Sequence, residues 1–260
     1  MTTSQTHPSG SFCWVELSTS DQNAAKKFYS GLFGWSINDN PMGPGEAYTI
    51  FRLGGRDAAA AYTMNKQERE AHVPPHWNLY IATENVDNSA SRVAKTGGTV
   101  LGGPFDVMDA GRMAVVKDPT GAAFCLWQAK NNSGLGVTGE DGAFCWADLN
   151  TPDPQRAGKF YSDLLGWKLE KGANDASGYL HIKNGDKHIG GIPPAQYLPK
   201  GAPAHWLIYF HVAGVEASTD RVSQMGGKVH MPPQNMPNVG AWSVVADPQG
   251  AAFALFKAGR

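Results

Sequence analysis

The feature that most constrains this 260-residue chain is that it states one long pattern twice. Phe12-Cys13-Trp14 returns as Phe144-Cys145-Trp146, Asp21 as Asp153, Phe28-Tyr29 as Phe160-Tyr161, and Gly34-Trp35 as Gly166-Trp167, each displaced by 132 positions. Further on, His76-Trp77 returns as His205-Trp206, Gly97-Gly98 as Gly226-Gly227, and Asp118-Pro119-x-Gly121 as Asp247-Pro248-x-Gly250, displaced by 129. A repeat of this length is a domain, not a solenoid unit. The lost residues fall between matched blocks, where loops absorb length changes cheaply. Two domains are expected, residues 1–130 and 142–260. Residues 131–141, rich in Asn, Ser and Gly, read as the linker between them.

Each half divides again. Phe12 to Leu17 is an aromatic and β-branched run, hence a strand. Ser20 or Asp21 can cap a helix from about Gln22 to Phe33, whose Ala24, Ala25, Phe28, Tyr29, Leu32 and Phe33 form one apolar stripe. Gly34 suits the left-handed position that ends it. In the second copy Asp153 is the cap, Pro154 takes the first helical position, and Gly166 is the stop. Strands are expected at Ala47 to Leu53, Ala58 to Met64, Trp77 to Ala82, Met113 to Val116 and Ala123 to Gln128, with a helix at about Asn88 to Lys95. An Asp118-Pro-Thr-Gly turn joins the last two strands. The order in each half is β-α-β-β-β, twice.

A net charge of −1 offers no electrostatic footprint for nucleic acid and no polybasic membrane patch. No apolar run approaches a membrane span, and Met1 to Gly10 lacks a signal-peptide core. Three cysteines, with Cys13 and Cys145 at equivalent strand positions, argue against a disulfide framework and for a reducing cytoplasm.

Four βαβββ modules, with the Phe-Tyr…Gly-Trp ending on the first and third helices and the Asp-Pro-x-Gly turn before the last strand of each half, resemble the vicinal oxygen chelate superfamily. That superfamily includes glyoxalase I, the bleomycin-resistance proteins and the extradiol dioxygenases. The resemblance covers nearly the whole chain, and the two-copy layout is most similar to bacterial proteins described as glyoxalase-related. It implies an α+β fold of four tandem βαβββ modules paired into two curved, cup-shaped eight-stranded sheets, with a ligand in each concavity. A homodimer formed through sheet edges is compatible with it.

The resemblance also says where a metal would sit. The first-strand ligand position, seven residues before the helix-capping Asp, is Trp14 in one copy and Trp146 in the other. The corresponding positions of the second and fourth modules are Asn78 and Leu207. The last-strand position, seven residues after the Asp of the Asp-Pro turn, is Cys125 or Ala254, and Ala59, Ala60, Gly190 and Gly191 occupy the remaining last-strand region. No set of His and Glu is offered there, so the resemblance implies a fold and a pocket rather than a reaction.

Strand side chains alternate. If Trp14 faces the cup, so do Phe12 and Glu16; in the second copy Phe144, Trp146 and Asp148 share that face. Glu16 and Asp148 are candidate general bases or ligand anchors, or else carboxylates held in structural pairs. Trp14, Trp146, Tyr48, Tyr179, Tyr80 and Tyr209, with Asn78 and Cys125, are candidates to line an apolar pocket for a flat ligand. His76 and His205 are expected to tether their strands by a backbone hydrogen bond. Trp35 and Trp167 are expected to anchor packing, and Arg112 to be a solvated edge residue. An Asn184-Gly185 turn would set Lys183 opposite Asp186 and His181 opposite His188, with Cβ atoms about 5 Å apart.

Three functions compete. The first is a metal-independent lyase, isomerase or hydrolase acting on a small oxygenated or aromatic metabolite without a cofactor. Asp148 would move a proton with His181 or Tyr209 as partner, and Glu16 would do so in the other half. The second is a sequestering protein of the resistance type. The third is a glyoxalase- or dioxygenase-type enzyme with a divalent metal on the relocated ligands His181, His188 and Asp148. The second half, richer in histidine, is expected to carry the chemistry.

Overall fold

A computed structural model describes residues 7–172 and 177–259. Its helices begin and end on the residues the sequence marks. The Asp21 side chain accepts from Ala24 N, and Gly34, at φ 72°, closes α1 (Gln22–Phe33). Asp153 accepts from Arg156 N, Pro154 opens α4 (Pro154–Leu165), and Gly166, at φ 76°, ends it. Around α1 lie β1 (Phe12–Thr19), β2 (Ser36–Gly43), β3 (Glu46–Leu53) and β4 (Arg56–Thr63), followed by the short α2 (Lys66–Glu70). The second module is β5 (His76–Ala82), α3 (Val86–Lys95), β6 (Thr99–Val107), β7 (Gly111–Lys117) and β8 (Ala123–Ala129). The third sets β9 (Phe144–Asn150), β10 (Lys168–Lys171), β11 (Leu180–Asn184) and β12 (Lys187–Ile192) around α4. The fourth is β13 (His205–His211), α5 (Val215–Gln224), β14 (Lys228–Met236), β15 (Gly240–Ala246) and β16 (Ala252–Ala258).

These strands form two curved, open sheets of eight, in the orders β2-β3-β4-β1-β5-β8-β7-β6 and β10-β11-β12-β9-β13-β16-β15-β14. The four-module, two-sheet architecture is therefore the one the resemblance implied. The sequence reading missed β2 and β6: β2 is almost wholly exposed, and β6, Thr-Val-Leu-Gly-Gly-Pro-Phe-Asp-Val, alternates in burial but not in hydrophobicity. They are edge strands, as is β14. Pro41, Pro104 and Pro232-Pro233 interrupt their free sides, which blunts edge-to-edge pairing. No helix among the described residues is long and apolar enough to cross a membrane.

The compact units of the chain cut across the repeat. One gathers described residues within 1–14, 79–134 and 146–207; the other gathers 15–78, 135–145 and 208–259. The repeated motifs explain this. In the first unit, Tyr161 of α4 donates to Asp118 Oδ2 (3.2 Å) and accepts from Trp206 Nε1 (3.0 Å). Trp167 stacks on Tyr161 and donates to Gly10 O, while Phe12 packs edge-on against Trp167 and Trp206 in this aromatic core. In the second unit, Tyr29 of α1 donates to Asp247 Oδ2 (3.0 Å) and accepts from Trp77 Nε1 (3.2 Å). Trp35 stacks on Tyr29 and donates to Gly142 O. Each helix motif thus meets the Asp-Pro-x-Gly turn of the other copy. The polar linker is pinned as well: Asn132 O accepts from Trp127 Nε1, Gly136 N donates to Asp57 O, and Arg56 forks onto Glu140.

Burial first, and then the charge of the facing aspartate, hold the Tyr29 and Tyr161 phenols well above the ordinary value of 10. Their contribution to stability is complete below pH 10 and is lost as pH rises beyond it, because only the unfolded chain releases those protons. Each tyrosine should remove about 1.4 kcal/mol per pH unit once the pH is well above 10, and the other buried phenols and thiols add to the fall. Urea unfolding at pH 10, 10.5 and 11 should show stability falling, and Tyr29→Phe should make the fall shallower by the share of one tyrosine.

Candidate active site

Buried polar groups of the second sheet meet on β9, β11 and β12. Asp148 is 6% exposed and in register with Gly191 of β12. The Tyr179 hydroxyl donates to Asp148 Oδ1 at 2.5 Å. Trp146 Nε1 donates between the same oxygen (3.1 Å) and Tyr179 Oη (2.9 Å). A carboxylate that takes two such donors on one oxygen is held as an anchor. Burial, followed by the Asp148 charge, drives the Tyr179 phenol far above its usual range, so it keeps its proton.

His181 stands beside this group. Its ring lies 5.0 Å from that of Tyr179, 6.4 Å from that of Trp146 and 5.1 Å from that of His188. His181 Nδ1 is buried and has no hydrogen-bond partner among the described residues. His188 is half-exposed, with Nε2 3.4 Å from Glu170 Oε2, and Lys183 Nζ lies 3.4 Å from Glu170 Oε1. The hairpin register differs from the expected one. The turn is Gly185-Asp186, so Asn184 faces Lys187 and Lys183 faces His188. Gly185, at φ 59°, takes the first turn position, which favours glycine. A bulge then sets His181 opposite Gly191. The two histidine rings still approach each other, by the bulge and not by direct pairing.

The other sequence candidates fall elsewhere. Trp14, Tyr80 and Cys125 share the compact unit of Asp148; Glu16, Tyr48, Asn78 and Tyr209 belong to the other. Tyr80 is in register with Cys125 and edge-on to Trp127, while Tyr209 is in register with Ala254 and edge-on to Phe256. Glu16, 7% exposed, is in register with Ala60. The tyrosine beside it is Tyr62, whose phenol burial and then the Glu16 charge push up. Tyr62 and Ser18 both donate to Glu68 of α2, whose other oxygen accepts from Asn65 N in a capping box. Sequence reasoning missed Ser18, Tyr62, Glu68 and Glu170, and set Lys183 opposite Asp186 where the structure sets it opposite His188. The Asn-x-x-Glu spacing of residues 65–68 was the available signal for Glu68.

The expectation for the two histidines holds: His76 and His205 place Nδ1 2.9 Å from Pro74 O and Pro203 O, tethering their strands. Arg112, expected as a solvated edge residue, instead lies on β7 beside the edge strand and is half-buried, forking onto Asp87 and reaching Asp106. Burial pushes the Cys13 thiol up and the Cys145 thiol up to about 12, the reverse of what a nucleophile needs.

A divalent metal does not fit the residues present. The positions that would ligate it carry Trp14, Asn78 and Cys125 in one copy, and Trp146, Leu207 and Ala254 in the other. Ala60 and Gly191 face the two inward acids. Among the described residues no group of three or more His, Cys, Asp or Glu is arranged to hold an ion, and this includes His181, His188 and Asp148.

The model of the Glyoxalase/Bleomycin resistance protein/Dioxygenase superfamily matches residues 11–126 and 144–255. The glyoxylase-named protein CFP32 of Mycobacterium tuberculosis is 41% identical over 252 residues, covering 94% of this chain and 93% of its own. The anthracycline biosynthesis protein DnrV of Streptomyces peucetius is 32% identical over 264 residues, covering 95% and 92%. Among solved structures, the Mn(II)-bound glyoxalase from Novosphingobium aromaticivorans has a TM-score of 0.65 at 17% identity, over 95% of this chain and 82% of that one. The 2,3-dioxygenase LapB from Pseudomonas sp. KL28 has a TM-score of 0.64 at 14% identity, over 97% and 94%. At such identities the structural likeness speaks to the fold alone.

Proposed function

The chain belongs to the glyoxalase/bleomycin resistance protein/dioxygenase superfamily, and from that premise we propose that it is a metal-independent enzyme of the lyase, isomerase or hydrolase type. Its substrate is a small oxygenated or aromatic metabolite, and the second half carries the chemistry. The observation that carries this reading is the buried, unpartnered His181 Nδ1 beside a fixed Asp148–Tyr179–Trp146 cluster. Leaving such a nitrogen unsatisfied costs about 1–3 kcal/mol, which a ligand hydroxyl or carbonyl would recover. Asp148 has two donors on one oxygen and serves as the anchor; His181 takes or gives the proton. The rings of Trp146, Tyr179 and His188 supply faces for a flat substrate. The relative named for anthracycline biosynthesis supports an oxygenated aromatic class, and the glyoxylase-named relative supports an enzyme. Cys13, Cys125 and Cys145 form no disulfide, which suits a reducing cytoplasm.

The test is a panel of hydroxylated aromatic and hydroxycarbonyl compounds, incubated with protein stripped by a chelator. Turnover of at least one compound, unchanged by the chelator, is expected. Turnover that the chelator abolishes and a divalent cation restores would overturn metal independence. Tight binding without turnover of any compound would make the protein a sequestering one instead.

A further inference from the structure

Gly191 lies on β12 between the two strands that carry the site, in register with His181 of β11 and Asp148 of β9. Its backbone is not among the left-handed glycines, so main-chain geometry does not demand glycine there. Space does. A Cβ on Gly191 would stand 1.8 Å from Tyr179 Oη, 2.0 Å from Cζ and 2.5 Å from Cε1. The end of the Tyr179 ring thus occupies the space over Gly191 that a side chain would fill, and from there its hydroxyl reaches Asp148. Neighbouring Gly190 serves a different end: its Cβ would meet Ala147 O at 2.5 Å and the Phe12 ring at 3.0 Å, a matter of close strand packing. In the first half the residue in register with the inward acid is Ala60, which already bears a methyl.

We infer that Gly191 is a positioning residue: its missing side chain seats the Tyr179 hydroxyl on Asp148 and Trp146 and holds the Tyr179 ring against His181. This rests on the Asp148–Tyr179–His181 cluster being the active site. It adds that one methyl group at position 191 is enough to dismantle that cluster, through Tyr179 and without touching a ligand.

Gly191→Ala tests it. In ligand-free protein labelled at tyrosine Cζ with ¹³C, the Tyr179 resonance, identified by its loss in Tyr179→Phe, should not titrate near pH 10. In folded Gly191→Ala it should titrate near the ordinary value of about 10, and His181 ring protons should lose the shift that the Tyr179 ring imposes. A merely structural glycine would lower the melting temperature and leave the titration where it was. That result overturns the inference. Should Gly191→Ala fail to fold, the double variant Gly191→Ala/Tyr179→Ala should fold, because the opposing ring is gone; a double variant no more stable than the single one also overturns it. Turnover should fall in Gly191→Ala to within about threefold of its level in Tyr179→Phe. A moved titration with turnover untouched keeps the positioning role and removes the active-site reading.

Discussion

Replacing His181 with alanine is expected to lower turnover by about 10²-fold or more, while ligand affinity falls less than about tenfold. The split between rate and affinity follows from the geometry. The ring faces that would grip a flat ligand belong to Trp146, Tyr179 and His188, and all remain. What disappears is a buried ring nitrogen that no side chain among the described residues engages. The fold should suffer little, since no hydrogen bond to His181 Nδ1 is lost. His188→Ala should cost far less, because His188 is half-exposed and its Nε2 lies beside Glu170. Steady-state kinetics of the two variants would check the order. A His181→Ala enzyme turning over at the wild-type rate would remove this residue from the mechanism.

Asp118→Ala should produce the largest loss of stability of any single polar truncation outside the pocket, about 3–5 kcal/mol. Asp118 is 3% exposed. Its Oδ1 accepts from Thr120 N, Thr120 Oγ1, Gly121 N and Ala122 N, at 2.7 to 3.1 Å. Its Oδ2 accepts from the Tyr161 hydroxyl. Alanine leaves a set of backbone N–H groups and a buried phenol without their acceptor at once, and water has little room to replace it. Tyr161→Phe should cost about 1–2 kcal/mol, since it removes a single donor. Denaturant titrations of the two variants would test the ranking. A loss under about 1 kcal/mol for Asp118→Ala would mean the turn holds its shape unaided.

The repeat made the fold legible because duplicated residues are mostly packing residues. Asp21, Gly34, Pro154 and Gly166 mark helix ends by backbone chemistry, and such local signals survive without any tertiary knowledge. Partners were not legible. Tyr29 could have met the aspartate of its own half, yet it donates to Asp247, 218 residues away. Two copies with the same motifs give a sequence reader no means of choosing. The site was half legible. Trp146 and Asp148 could be named from strand alternation, Tyr179 as an aromatic of the pocket and His181 from the turn beside it, and they do gather. The contact of His181 with His188 was anticipated for the wrong reason, because one bulged residue resets a register that turn composition alone cannot place. Glu170 lies on a four-residue strand with no pattern to betray it, and Gly191 matters through an atom it does not have.

The crossed pairing of tyrosine and aspartate has a consequence for assembly. In a chain encoding one half alone, the crossed arrangement of tyrosine and aspartate could form only between two molecules, so duplication within one chain makes internal a bond that separate halves would have to make by association.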